Sequence, residues 1–246
     1  MLTIRQTGSG FECPGQIDQF VQTPKDRIDQ TTGVNTAMRI GILGGTGRMG
    51  RGLAHSYVHA GHEVILGSRS PNRAQNAAKE IGPGVRGASL QKAAQEGEIV
   101  VLAVGFSDAA ATVLAVENVL VGKILIDITN PFGAVPPGTT SGIEKNGQSA
   151  PAARWVAAYK TNFWQTIDPS ANVGQDKRDV LVCSDDNEAK RRVMQLIDET
   201  GLRAVDCGEL INARTLDLMV PLMLELDHRY GSDALSSWKF ITPETG

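Results

Sequence analysis

The sequence lacks the features of a secreted, membrane-embedded or nucleic-acid-binding protein. No block of Lys and Arg stands out, and the formal net charge is only −3, which argues against nucleic acid or an anionic membrane as the main partner. The longest apolar run, residues 99–104, has the length of a strand and falls far short of the roughly 20 residues that a membrane helix needs. Residues 1–10 are polar, where a secretory signal would place an apolar segment.

Cysteines and aromatic residues are also scarce. Cys13, Cys183 and Cys207 have neither CxxC nor metal-ligand spacing, and they predict a protein of the reducing cytoplasm. His55 and His59 are four residues apart, but no acidic or cysteine ligand accompanies them, so we expect no metal site. Only 5% of the residues are aromatic while 27 are glycine, which favours an α/β fold with tight strand-to-helix turns over a β-sandwich.

The first 37 residues differ from the rest of the chain. Residues 1–37 are polar, show no sustained apolar period and are predicted to be a flexible extension. Two explanations stay open: Met38 is the true start, or the extension pairs with a partner subunit. Residues 38–246 are predicted to form a single domain.

Strands and helices alternate from residue 38 onward. This alternation is typical of βαβ units and predicts an α/β fold, a Rossmann-type doubly wound, mostly parallel sheet. We expect residues 210–228 to form a long helix, kinked at Pro221, that serves as a small dimer element. The predicted strands are 38–43, 63–66, 98–104, 123–128, 155–159, 179–183 and 202–206, and the helices are 51–60, 72–81, 90–96 and 187–200. Residues 83–87 are expected to form a loop or a short third strand, residues 131–147 a loop with room for one turn of helix, and residues 161–175 a loop.

A glycine-rich turn follows the first strand and opens the first helix. Residues 45–50 read G-x-G-x-x-G, a pattern that gains its meaning from this position. Gly45 permits the tight turn, Gly47 lets the backbone approach a pyrophosphate, and Gly50 allows close packing of helix against strand. The helix N-terminus adds free N–H groups and partial positive charge, so the turn predicts a dinucleotide site.

The end of the second strand indicates which dinucleotide binds. An NAD site usually carries an acidic residue here, whereas this chain has Ser68 and Arg69. A hydroxyl and a guanidinium suit a 2′-phosphate, and Arg73 adds a further positive charge. The sequence therefore predicts NADP(H) as the cofactor.

Two further strand ends are expected near the nicotinamide. Val104 and Gly105 end the fourth strand, and small residues there let the dinucleotide cross the sheet edge. Asn130 follows the fifth strand within reach of the ribose or carboxamide. No Ser/His/Asp or Cys/His group is evident, which fits a hydride transfer that depends on positioning more than on proton transfer.

Three segments resemble a known family: MRIGILGGTGRMG at 38–50, GSR at 67–69 and DCGELINARTL at 206–216. Together they resemble the NADPH-dependent deazaflavin (coenzyme F420) reductases, over residues 38 to about 240. The resemblance implies hydride transfer between NADP(H) and coenzyme F420, an 8-hydroxy-5-deazaflavin. It also implies that the last helix closes the substrate cleft and supports a homodimer.

The resemblance assigns roles to individual positions. It implies that the pyrophosphate is held by Thr46, Gly47, Arg48 and Met49. It also implies that the 2′-phosphate is held by Ser68, Arg69 and Arg73, and that the nicotinamide is bordered by Val104 and Ala157. One departure concerns the substrate half, because many members carry Phe-Asn-Thr after the sixth strand where this chain has Tyr159-Lys160-Thr161.

Other functions stay open at this point, because the fold does not determine the acceptor. One is an NADPH-dependent imine or enone reductase, or a flavin or ferric reductase, with Tyr159 or Lys160 as a weak candidate acid. Another is a non-catalytic NADP(H)-sensing protein. In every case the expected partner is a small molecule or cofactor, and neither a nucleic acid nor a membrane is expected as a partner.

Overall fold

Six parallel strands form the central sheet of the computed structural model, which describes residues 37–167 and 177–242. The strand order β3-β2-β1-β4-β5-β6 is that of a dinucleotide-binding sheet, and the predicted fold class is confirmed. Nearly all of the predicted extension, residues 1–37, and part of the predicted loop 161–175 lie outside the described residues. The strands are β1 Arg39–Leu43, β2 Glu63–Ser68, β3 Val85–Ser89, β4 Ile99–Leu102, β5 Ile124–Asp127 and β6 Arg154–Ala157.

Helices cover both faces of this sheet because successive strand residues point to opposite sides. One buried cluster joins residues of the sheet to α1, α2 and α6, and a second joins the other face to α3, α4, α5 and α7. The helices are α1 Arg48–His59, α2 Pro71–Ile81, α3 Leu90–Glu96, α4 Phe106–Leu114, α5 Gly142–Gly147, α6 Asn187–Glu199 and α7 Ala213–Tyr230.

The last two strands form a separate small sheet, which the sequence does not indicate. β7, Asp179–Val182, pairs in parallel with β8, Arg203–Asp206. A single antiparallel bridge between Ala157 and Cys183 connects β7 to the end of β6. The main sheet therefore ends at β6, and α6, which follows β7, packs against one of its faces.

The structure settles two segments that the sequence left open and adds one helix. Residues 83–87 contain most of β3, the short strand that the sequence allowed, and Gly87 is required there because a Cβ atom would lie 2.1 Å from the backbone nitrogen of Gln75. Residues 131–147 end in α5, the short helix that the sequence allowed. The helix α4 was missed because its buried positions are mostly small residues, which give a weak apolar stripe. Helix α7 contains Pro221 as predicted and begins at Ala213, three residues later than predicted, after a 3-10 turn at Leu210–Asn212.

A buried ion pair holds α7 over the carboxyl ends of the strands. The Lys160 Nζ lies 2.9 Å from Asp217 Oδ1, and both side chains are almost fully buried. The same ammonium donates a hydrogen bond to the Thr129 carbonyl at 2.5 Å, and Asp217 Oδ2 accepts one from the Gly142 nitrogen at 2.7 Å. Asp217 thereby connects α7 to β5, β6 and α5.

A second ion pair joins α5 to α7. The Arg214 guanidinium donates two hydrogen bonds to the Glu144 carboxylate, at 2.9 and 2.6 Å. Arg214 lowers the pKa of Glu144 to about 2, chiefly through these hydrogen bonds. Glu144 also completes a capping box with Ser141 at the start of α5. The two ion pairs set the position of α7 relative to the sheet edge.

The Lys160–Asp217 pair yields a stability prediction. Replacing Lys160 with Met should lower the free energy of unfolding by about 3–5 kcal/mol, because the Asp217 carboxylate stays buried without its counter-charge. The double variant Lys160→Met/Asp217→Leu should recover most of that loss, since no buried charge remains. Denaturant unfolding of the three proteins measures both differences. Equal losses in the single and double variants would contradict the assigned coupling.

Candidate functional site

The glycine turn is shaped by close backbone contacts. Gly44 adopts a φ of +84°, and its nitrogen donates to the Gly67 carbonyl at 3.0 Å. A Cβ atom on Gly44 would lie 2.5 Å from the Ala103 carbonyl oxygen, and one on Gly50 would lie 2.7 Å from the Cα of Gly45. Glycine is therefore needed at both positions for β1, β4 and α1 to approach one another.

Gly47 has a different role from these packing glycines. A Cβ atom on Gly47 would meet only the Gly44 carbonyl oxygen, at 3.5 Å, so internal packing does not demand glycine there. Gly47 is the N-cap of α1, and no side chain caps the first turn of that helix. Helix α1 begins at Arg48, three residues earlier than predicted, so its free N–H groups belong to the turn itself. This arrangement fits a pyrophosphate lying against the turn.

A small pocket of about 280 Å³ lies beside the turn, at the end of β2. It brings together Thr46, Ser68, Arg69 and Arg73, which sequence reasoning assigned to the pyrophosphate and the 2′-phosphate. The Arg69 side chain is 81% exposed and lies 3.6 Å from Asp108 of α4, a contact loose enough to be exchanged for a phosphate. Sequence reasoning missed Asp108, since it missed α4.

A larger cleft of about 820 Å³ opens at the ends of β4, β5 and β6, below α7. Of the predicted cofactor residues, Arg48, Met49, Val104, Gly105 and Asn130 line it. Val104 also lines the smaller pocket, so the two cavities adjoin at this side chain.

Asn130 is placed to bind a polar group in this cleft. Its amide nitrogen donates to the Lys160 carbonyl at 2.8 Å, which fixes the side chain. Its buried Oδ1 has no hydrogen-bond partner among the described residues. Since buried polar atoms are normally paired, this oxygen fits an acceptor for a ribose hydroxyl or a carboxamide N–H of NADP(H).

Two predicted site residues lie away from the cleft. Ala157 is buried at the end of β6, where its backbone exchanges hydrogen bonds with Cys183. Tyr159 adopts a φ of +55° and directs its ring into the opposite core, where the hydroxyl lies 3.3 Å from that of Tyr57. Burial raises the pKa of Tyr159 well above its usual value. Neither residue lines the cleft, so the positions expected for them are corrected.

Lys160 does line the cleft, but its ammonium is already engaged. Nζ is held by Asp217 and by the Thr129 carbonyl, and the side chain is fully buried. The geometry gives Lys160 the role of fixing α7 and the Asn130 side chain. It does not present Lys160 as an acid directed at a substrate.

Sequence reasoning missed the aromatic lining of the cleft. Four aromatic side chains line it although the chain has only six Phe and three Trp: Phe106, Phe132, Phe163 and Trp164. Among the described residues that line the cleft there is no Asp or Glu, whereas three are cationic, Arg48, Lys145 and Lys160. Most of these residues lie in segments predicted only as loops. The concentration of scarce aromatic residues after β5 and β6 was the available signal.

Neither a metal cluster nor a membrane span is found in the described part of the chain. Within residues 37–167 and 177–242, no three His, Cys, Asp or Glu side chains lie together in a way that would hold a metal ion. No helix in these ranges is both long and apolar enough to cross a membrane.

Known proteins resemble this chain over most of its length. Residues 39–131 match the family model described as NADP oxidoreductase, coenzyme F420-dependent. The F420-dependent NADP reductase of Methanothermobacter marburgensis is 33% identical over 207 residues, which cover 77% of this chain and 92% of that protein. The Methanocaldococcus jannaschii enzyme of the same name is 30% identical, over 79% of this chain and 95% of that protein.

The fold agrees with a solved structure of the same kind. An Arthrobacter sp. FB24 protein, assigned as an F420-dependent NADP reductase, is 29% identical with a TM-score of 0.76. The match covers 84% of this chain and all of that one. The resemblance seen in the sequence is thereby confirmed. The chain belongs to the family of coenzyme F420-dependent NADP oxidoreductases.

Proposed function

We propose that this protein is an oxidoreductase that transfers a hydride between NADP(H) and the deazaflavin coenzyme F420. One observation carries the proposal: a cationic pocket suited to a 2′-phosphate adjoins, at Val104, an aromatic cleft without carboxylates. Two relatives that this chain matches over 92% and 95% of their own length are named F420-dependent NADP reductases. The alternatives are not better supported: a metalloreductase relative is 29% identical, but the match covers only 39% of that protein, and an imine reductase at 16% identity shares the fold alone.

The side chains of this protein would act by binding and orienting. The pyrophosphate is held at the N-terminus of α1 by Gly45, Thr46, Gly47, Arg48 and Met49. The 2′-phosphate is bound by Ser68, Arg69 and Arg73. The nicotinamide end lies toward Val104, Gly105 and Asn130. When bound, the nicotinamide supplies or receives the hydride. Helix α7 lines the cleft with Val220, Met223 and Leu224 and would shield bound ligands from water, which favours hydride transfer.

Turnover with different acceptors tests this activity. The purified protein should oxidise NADPH in the presence of oxidised deazaflavin. The reaction is monitored by the loss of absorbance of both compounds. Riboflavin, a ferric chelate and a cyclic imine serve as comparison acceptors, and each should react more slowly. Faster turnover with the imine or the ferric chelate would contradict the proposal. Tight NADPH binding without turnover on the whole panel would instead support a sensing role.

The cofactor preference depends on Arg69. The wild-type protein should bind NADPH more tightly than NADH, and Arg69→Ala should weaken NADPH binding by about tenfold or more, because a charge-assisted hydrogen bond is worth about 1.5–3 kcal/mol. Titration calorimetry measures the four Kd values. The Kd of NADH should not change in the Arg69→Ala variant. The matched control is Arg192→Ala, which removes an exposed arginine on α6. Tighter NADH binding by the wild type would refute the NADP(H) assignment.

We also propose that the protein is a homodimer formed through the last helix, and that it works in the cytoplasm. Ile211, Leu218 and Leu222 are about half exposed, and their spacing places them on one outer stripe of the helical segment.

Cys183 and Cys207 are free thiols, as a reducing compartment requires.

The dimer is tested by light scattering of the full chain. The wild type should elute with twice the mass of 26.2 kDa, and Leu218→Lys/Leu222→Lys should shift it to the monomer because two charges would be buried at the interface. Lys substitution of Val121, which is exposed away from α7, is the control and should leave the mass unchanged. A monomeric wild type would rule out this proposal.

A further inference from the structure

Two exposed aromatic side chains, Phe132 and Trp164, stand at the rim of the large cleft. Phe132 follows β5 and is 65% exposed, and Trp164 follows β6 and is 45% exposed. β5 and β6 are neighbouring parallel strands, so the segments that follow them leave the same edge of the sheet. Both rings line the cleft, and Phe106 and Phe163, which are only partly exposed, lie deeper in its lining.

The backbone at Phe132 indicates that its ring is not there for folding. Phe132 has a φ of +44°, in the left-handed region that side chains other than Asn, Asp and Gly rarely occupy. Gly133 follows with a φ of +87°, and Ala134 donates to the Pro131 carbonyl to close the turn. Glycine would suit this conformation better than Phe, and an exposed ring contributes little burial. Such strain concentrates at functional sites.

Trp164 is exposed on a well-held backbone. It begins a 3-10 helix, Trp164–Thr166, in which the Thr166 hydroxyl donates to the Phe163 carbonyl at 2.9 Å. The Trp164 carbonyl lies close to Gly52 of α1, where an added Cβ atom would approach it to 3.5 Å. The main chain is thus packed while the indole remains on the cleft surface, ready to contact a ligand.

The charged side chains of the cleft indicate which kind of ligand it binds. Arg48 and Lys145 are exposed on its lining and make no ion pair within the described part of the chain, whereas Lys160 is neutralised by Asp217. Arg48 lies at the turn assigned to the pyrophosphate. Lys145 lies on α5 and has no such role. A lining with unpaired cations and no carboxylate complements an anionic ligand.

We propose that Phe132 and Trp164 form an aromatic clamp that selects a planar heteroaromatic acceptor, and that Lys145 binds an anionic group on that acceptor. The inference rests on the proposed function and adds to it the residues that determine acceptor specificity. The acceptor ring packs against both aromatic side chains and is thereby held against the nicotinamide for hydride transfer.

Binding measurements test the clamp without relying on turnover. Phe132→Gly and Trp164→Ala should each raise the Kd of oxidised deazaflavin by about tenfold or more, as expected from loss of one stacked aromatic contact. The Kd of NADPH should stay unchanged. Phe132→Tyr and Trp164→Phe should retain near wild-type affinity, and Tyr230→Ala, which removes an exposed aromatic outside the cleft, is the control. Thermal unfolding should show Phe132→Gly at least as stable as the wild type.

A pair of flavins separates stacking from charge. Lumiflavin carries the planar ring without an anionic group, and flavin mononucleotide adds a phosphate. Lys145→Gln should weaken binding of flavin mononucleotide but not of lumiflavin, while the aromatic variants should weaken both.

The results that would overturn the inference are distinct from those that would overturn the proposed function. A deazaflavin Kd unchanged by Phe132→Gly and Trp164→Ala refutes the clamp, as does a wild type that binds no planar acceptor. An equal rise in the NADPH Kd would show that the rings hold the nicotinamide instead. A wild type that binds deazaflavin tightly but does not reduce it would refute the proposed function and leave the clamp supported.

Discussion

The buried contact between Lys160 and Asp217 is the interaction on which the shape of the large cleft depends. Helix α7 buries only five of its residues, so apolar packing alone gives it a limited hold on the sheet. The ion pair, the bond from Gly142 to Asp217 and the Glu144–Arg214 pair together fix its position. Buried ion pairs add little net stability compared with apolar contacts, but they are demanding in geometry. The pair therefore determines where α7 lies more than how tightly the protein folds.

The same contact explains the chemistry of the site. Because Lys160 is held by Asp217 and Thr129, its charge is used within the structure, and its carbonyl orients Asn130. The free cations of the cleft are then Arg48 and Lys145 among the described residues. A site built this way orients two ligands and transfers a hydride between them without needing a proton donor of its own.

The two halves of the site are built by different means. The half proposed for the dinucleotide consists mainly of backbone: glycine contacts between β1, β4 and α1, and the first turn of a helix. The half proposed for the acceptor is lined by side chains from segments that follow β4, β5 and β6 and from α7. Such segments vary more readily than strand-to-helix turns, because fewer backbone contacts constrain them. This difference is consistent with one fold serving reductases of several acceptors.

The sequence by itself determined the features that depend on neighbouring residues. The glycine turn, Ser68 and Arg69, and most strand positions follow from local spacing and from the chemistry of phosphate, and the family followed from three short segments. Tertiary structure alone decided which distant groups meet. The bond from Gly142 to Asp217 spans 75 residues, and the one from Lys160 to Thr129 spans 31. Tyr159 and Lys160 are adjacent in the chain, yet the left-handed φ at Tyr159 places its hydroxyl in the opposite core while Lys160 lines the cleft. Local patterns encode backbone conformation and charge, whereas convergence of loops at a sheet edge depends on packing across the whole domain.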